Sequence, residues 1–152
     1  MPEQPQRNIV TARESGIGPF GQYINVGHHL LGADEPGLHG GCNTGPDPFE
    51  LVMAGLAACT TMTIRMVASR RKLPLRDVQV EVRHLRAPPP GGMAAPAPAG
   101  QKPHAFERLV TLEGELDEEQ RRMLVGIADR CPVHRLLAGE AEIITREAAR
   151  AA

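Results

Sequence analysis

Apolar positions along this chain recur at two spacings, and the switches between them mark the elements. NIVTARE and GQYINVGHHLL (8–14 and 21–31) have strand character, and the Gly/Pro turn SGIGPFG separates them. Read as one strand, the second segment turns His28 and His29 to opposite faces. GADEPGLHGGCNTGPDP is a long loop that ends at a helix start: Asp47 as N-cap, Pro48 as first helical residue, Glu50 completing a capping box. The helix is predicted from Pro48 to Lys72 and stops before Pro74. No charge interrupts it between Glu50 and Arg65, so most of its circumference is expected to be buried, and Ala54, Gly55, Ala57 and Ala58 permit close approach.

Val78, Val80 and Val82 then alternate with polar residues in LRDVQVEVRH, a half-buried strand, and HAFERLVTLEGEL reads as its partner. The connector from Ala87 to Pro103 holds six prolines and three glycines, and is expected to be mobile. A second helix begins at Asp117 with Gln120 as capping-box partner. Leu124, Ile127, Ala128 and Cys131 form its inward face. Pro132 ends it and starts a short helix, PVHRLLAG. AEIITRE closes the chain as a strand.

The chain has 152 residues, a single domain in its simplest reading, with 41% apolar and 23% charged residues. A net charge of −1, only 3% aromatics and no Trp point away from nucleic acid and anionic membrane surfaces. The start, MPEQPQRNIV, lacks an apolar signal core, and the run Leu51–Ala58 is shorter than the about 20 residues of a bilayer span. With three cysteines, this suggests a reducing cytoplasm, where a disulfide is transient and catalytic rather than structural.

Cys59 and Cys131 each stand in apolar surroundings, 72 positions apart. They read either as buried small hydrophobes or as a redox pair, since both face inward from helices and a sulfenic acid on one can condense with the other. Cys131 also precedes a Pro-initiated helix whose positive end favours a thiolate. CPVH resembles half of a metal site, but no second pair has ligand spacing among His28, His29, His39, His84 and His104. His134 reads as exposed or capping, and Cys42 as an incidental thiol.

TGPDPFELVMAGLAACTTMTIRMVASRRKLPLRDVQVEVRH and FERLVTLEGELDEEQRRMLVGIADRCPVHRLL resemble the two cysteine regions of the OsmC/Ohr family, the osmotically inducible and organic hydroperoxide resistance proteins. GHHLLGADEP is similar to the general OsmC-like branch, and the likeness spans roughly residues 20–146. The resemblance implies an α+β fold with two long central helices flanked by antiparallel β-sheets, a single OsmC-like domain over 1–152, and an intertwined homodimer. It implies a thiol peroxidase with Cys59 peroxidatic and Cys131 resolving, reset by a dithiol reductant such as a lipoyl or thioredoxin-like protein, and needing no metal or other cofactor. Organic hydroperoxides or hydrogen peroxide would be the substrates.

Glu50 matches the family's active-site glutamate, although its cap role is an equal reading. Nine residues along a helix place it about 13 Å and half a revolution from Cys59, so an active-site role would cross the dimer. The family's thiolate-binding arginine has no match. Only Arg7 and Arg13 precede Glu50, and Arg13 and His29 are the candidate substitutes, each with an ordinary structural reading. The missing arginine leaves a second reading open: a non-catalytic dimer that binds a small apolar ligand or senses oxidants.

Overall fold

The computed structural model describes residues 9–85 and 99–148. In chain order the strands are β1 (Val10–Glu14), β2 (Gln22–Val26), β3 (His29–Ala33), β4 (Leu75–His84) and β5 (Phe106–Gly114). The helices are α1 (Pro48–Arg70), α2 (Glu118–Ile127) and α3 (Pro132–Arg135). Two compact units divide the chain: 1–55 with 82–108, and 56–81 with 109–152.

In the first unit β1, β2 and β3 form an antiparallel sheet in that order, with Val10 opposite Val26 and Val26 opposite His29. The single strand expected over 21–31 is therefore two. Gly27, at φ 61°, opens a two-residue turn with His28, and only β3 contains His29. A positive φ at the first turn position suits the right-handed twist of a tight hairpin, and apolar alternation carries no sign of it. The two imidazoles lie 4.1 Å apart.

The loop after β3 is organised by buried Asp34. Its carboxylate accepts hydrogen bonds from the N–H groups of Glu35 (2.8 Å), Cys42 (3.1 Å) and Thr44 (3.1 Å), and from the Thr44 hydroxyl (2.8 Å). Desolvation opposes the charge, but these donors outweigh it and hold the carboxyl below its ordinary range.

The α1 capping box is present. Asp47 Oδ1 accepts from Glu50 N–H, and Glu50 Oε2 accepts from Asp47 N–H, both at 2.8 Å. At the other end Lys72 adopts φ 55°, and Leu73 N–H donates to Ala68 O at 2.9 Å, closing the helix by a Schellman turn. Within one chain the buried residues of α1 are Leu56, Thr60, Ile64 and Ala68, a stripe at every fourth position, while Met62 is 69% exposed. Burial of most of the circumference is therefore not met, because one chain's core covers one side of a helix. By length and composition α1 is also apolar enough to cross a membrane, which the short run Leu51–Ala58 did not suggest. Its buried stripe nevertheless packs in protein.

In the first unit Phe49, His84, His104 and Phe106 cluster. His84 Nε2 and His104 Nδ1 are hydrogen-bonded at 3.1 Å, and the His84 ring stacks on Phe106 with centroids 4.6 Å apart. Burial, then His104, lower the His84 pKa against the opposing pull of Asp47. Arg83 faces Glu107 (3.9 Å), and Leu85 N–H donates to Ala105 O (2.8 Å), as across an antiparallel pair. Of the connector expected to be mobile, 87–98 lies outside the described residues.

In the second unit Ile64, Ala68, Leu75, Leu116, Leu124 and Ile127 form the core. Asp117 and Gln120 cap α2 reciprocally, and Arg121 donates to Leu112 O (2.9 Å) and Gly114 O (3.1 Å), tying the helix to the end of β5. The expected helix to Cys131 ends at Ile127, followed by a 3₁₀ turn over Ala128–Arg130. Cys131 is extended (φ −59°, ψ 129°), because Pro132 excludes the α conformation from the residue before it. The four residues expected to face inward are still all buried. The closing segment is not a strand: 141–148 is irregular and Ile143 is 90% exposed. Strand pattern alone does not make a strand, and among the described residues this segment joins neither sheet.

Candidate functional site

Cys59 and Cys131 come together in the second unit. Cys59 lies midway along α1, and Cys131 lies in the extended break before α3. The two thiols are close enough that each shifts the ionisation of the other. Cys131 is 0% exposed and Cys59 is half-buried, so solvent reaches the pair from the Cys59 side.

The break at Cys131 has a chemical consequence. With Pro132 at the first helical position, the N–H groups of Val133 and His134 turn toward the Cys131 sulfur. Val133 N–H also reaches Cys59. Two threonines complete the setting. Thr63 Oγ1 donates to Cys59 O (2.7 Å) and contacts the Cys59 thiol. Thr60 Oγ1 donates to Leu56 O (2.7 Å) and contacts the Cys131 sulfur.

These contacts divide the ionisation. Burial, then the hydrogen bond and charge of Cys131, push the Cys59 thiol up. Burial also opposes a Cys131 thiolate. The Cys59 thiol, the two N–H groups and the Thr60 hydroxyl outweigh it and bring Cys131 below the ordinary thiol range. Of the two, Cys131 is therefore the more readily ionised thiol and Cys59 the less.

Of the other candidates, Glu50, Arg13 and His29 belong to the first unit and have local partners. Glu50 caps α1. Arg13 lies over the ring of Tyr23, its cross-strand neighbour, at 5.9 Å. His29 sits beside His28. His134 is near Asp129 (4.0 Å), and Cys42 is exposed. Among the described residues no three His, Cys, Asp or Glu side chains gather where a metal ion would sit. Sequence reasoning passed over Thr60 and Thr63. Thr60 had a readable signal, as the single polar member of the apolar series Leu56, Thr60, Ile64, Ala68.

Residues 40–146 match the family model described as OsmC-like protein. The fold is similar to that of an OsmC-like protein from Mycoplasma pneumoniae, at 17% identity and TM-score 0.68, over 92% of this chain and 91% of that one. It is similar at 25% identity and TM-score 0.62 to a Legionella pneumophila organic hydroperoxide resistance protein, OsmC, over 86% and 88% of the two chains. The organic hydroperoxide resistance protein OhrB of Bacillus subtilis is similar at 25% identity and TM-score 0.50, over 87% and 90%. No curated protein sequence matches.

Proposed function

Since the chain belongs to the OsmC-like protein family, we propose that it is a thiol-dependent peroxidase that reduces organic hydroperoxides or hydrogen peroxide through Cys59 and Cys131. The observation that carries this reading is that the half-buried Cys59 and the fully buried Cys131 come close enough for each to shift the other's ionisation. The Legionella and Bacillus proteins, both named for organic hydroperoxide resistance, support the substrate class.

Ionisation alone would make Cys131 the first nucleophile, but access decides against it. A sulfur with no exposed surface does not meet a peroxide, whereas Cys59 does. As Cys59 attacks the O–O bond it gives up its proton. The bond breaks, Cys59 becomes a sulfenic acid, and the departing alkoxide or hydroxide takes that proton to leave as alcohol or water. Cys131 then attacks the Cys59 sulfur. An S–S bond forms, the S–O bond breaks, and hydroxide leaves with the remaining thiol proton as water. A dithiol, from a lipoyl or thioredoxin-like protein, resets the pair by exchange. This chemistry fits a reducing cytoplasm.

The proposed assembly is a homodimer. Phe49, Val52, Met62 and Met66 of α1 and Val10 and Leu30 of the sheet are apolar and exposed in one chain, and a second copy would cover them. Across such a dimer the Glu50 carboxylate of one chain would act on the thiols of the other, with Arg13 or His29 in place of the unmatched arginine. Light scattering at micromolar concentration is expected to give twice the chain mass; a stable monomer contradicts the assembly.

The activity is tested by mass spectrometry after one equivalent of cumene hydroperoxide. Rapid loss of two hydrogens, mapped to a Cys59–Cys131 linkage, is expected, followed by turnover when a dithiol is added. Oxidation without turnover would mark an oxidant sensor, and no oxidation would defeat the reading.

A further inference from the structure

In the second unit, one arginine on α1 and one on α2 fasten their helices to the same end of the β4–β5 pair. Arg65 stands six positions after Cys59 on α1, about 9 Å along the axis. Its Nη1 donates to Leu75 O at 2.7 Å and its Nη2 to Arg76 O at 3.1 Å, at the start of β4. From α2, Arg121 donates through Nη1 to Leu112 O at 2.9 Å and through Nη2 to Gly114 O at 3.1 Å, at the end of β5. These strand ends are themselves joined. Arg76 meets Glu113 at 3.0 Å, and a side chain on Gly114 would collide with Pro74 O.

Among the described residues neither Arg65 nor Arg121 is ion-paired with a carboxylate, so their donors go to backbone carbonyls. A planar guanidinium fork fixes direction as well as distance. The apolar core of Ile64, Ala68, Leu124 and Ile127 draws the helices together, but that attraction is non-directional. A disulfide needs a finer setting, with its Cβ atoms about 3.5–4.5 Å apart. We infer that Arg65 and Arg121 are positioning residues for closure of the Cys59–Cys131 disulfide: by tying α1 and α2 to one end of the β4–β5 pair, they hold the two thiols in bonding register. This rests on the peroxidase reading for the use made of the disulfide, though not for the contacts.

Positioning and mere stabilisation differ in what they do to the disulfide equilibrium. Forks that only stabilise the fold favour the dithiol and disulfide forms alike, and the equilibrium between those forms does not depend on them. Forks that position the thiols raise the effective concentration of one thiol at the other, and their loss lowers it. Lys keeps the charge of Arg on a flexible stem but lacks the fork. Each Arg→Lys replacement is expected to weaken the disulfide about tenfold, less than the about 10²-fold that a 1 Å misplacement can cost. Tenfold is about 30 mV toward easier reduction.

The experiment compares the full chain with its Arg65→Lys and Arg121→Lys forms, all carrying Cys42→Ser so that the exposed thiol is silent. Each is equilibrated with graded mixtures of reduced and oxidised glutathione, in which the protein dithiol becomes a disulfide as one oxidised glutathione becomes two thiols. Acid quench, alkylation and mass give the fraction closed. Both Lys forms are expected to shift by about 30 mV, and either one that unfolds cooperatively suffices. Ile64→Val, a core truncation that leaves both forks, and Arg76→Ala, which removes an exposed ion pair, are expected to keep the parent potential. The parent potential in the Lys forms overturns the inference, as does an equal shift in Ile64→Val, which would indicate mere loosening of the fold. A parent that forms no Cys59–Cys131 disulfide in any mixture also overturns it. A parent that closes with glutathione but not with cumene hydroperoxide defeats the peroxidase reading instead, and the potentials still decide the role of the two arginines.

Discussion

Replacing Cys59 by Ser is expected to abolish peroxide consumption, down to the slow rate of an ordinary free thiol. A hydroxyl in that place is far too weak an acid to supply the nucleophile, and Cys131 is too buried to substitute. Cys131→Ser should behave differently. It removes the neighbouring thiol that, after burial, pushes Cys59 up. The first oxidation should therefore survive within about an order of magnitude, no intramolecular disulfide should form, and excess peroxide should carry Cys59 to sulfinic acid. Peroxide loss in stopped flow and the mass of the quenched protein report these outcomes. Equal initial rates for the parent and Cys59→Ser would refute the assignment, and a large loss on Cys42→Ser would show that the resolving thiol had been misplaced.

Leu124→Ala should cost about 2–5 kcal/mol of stability. Leu124 is 0% exposed and touches the cluster of Ile64, Ala68, Leu75, Leu116 and Ile127, so truncation leaves a cavity where close packing was. For a chain of this length roughly 3 kcal/mol lowers the melting temperature by about 10 °C. Val125→Ala, next in sequence but 45% exposed, is the control and should cost under roughly 1 kcal/mol. Chemical denaturation of the reduced proteins provides the comparison. Near-equal losses for the two would mean that this face of α2 is not the core.

Local chemistry was the readable part of this sequence. Asp47 with Glu50 and Asp117 with Gln120 are capping boxes whose donors and acceptors lie three residues apart, and both formed. Pro132 was read forward, as a helix start, and that held. Its backward effect on Cys131 was not applied, so the helix was drawn too long, although turning out of the helix frees the N–H groups that now face the thiols. Non-local determinants were less legible. Four residues of α1 are covered in one chain because coverage depends on what packs there, and periodicity cannot report that. The closing Ile143 and Ile144 alternate as strand residues do, yet a strand requires an edge to bind. The pairing of the cysteines as peroxidatic and resolving came from the family likeness. The residue pattern alone left them more readily readable as core.

The contact between His84 and His104 makes the first unit sensitive to acid through proton linkage. Two rings joined by one hydrogen bond need a neutral acceptor between them, so a second proton breaks the bond. The direction follows from His84, whose folded pKa lies below its ordinary 6.5. Above pH 6.5 the ring is neutral whether the chain is folded or not, and the contact contributes in full. As pH falls below that value the unfolded chain takes up the proton first. Stability drains away until the folded ring titrates as well, at its lower pKa. The imidazole pair at the end of β4 is thus an acid-labile fastening, whose strength is set by the protons of the surrounding water as much as by the residues it joins.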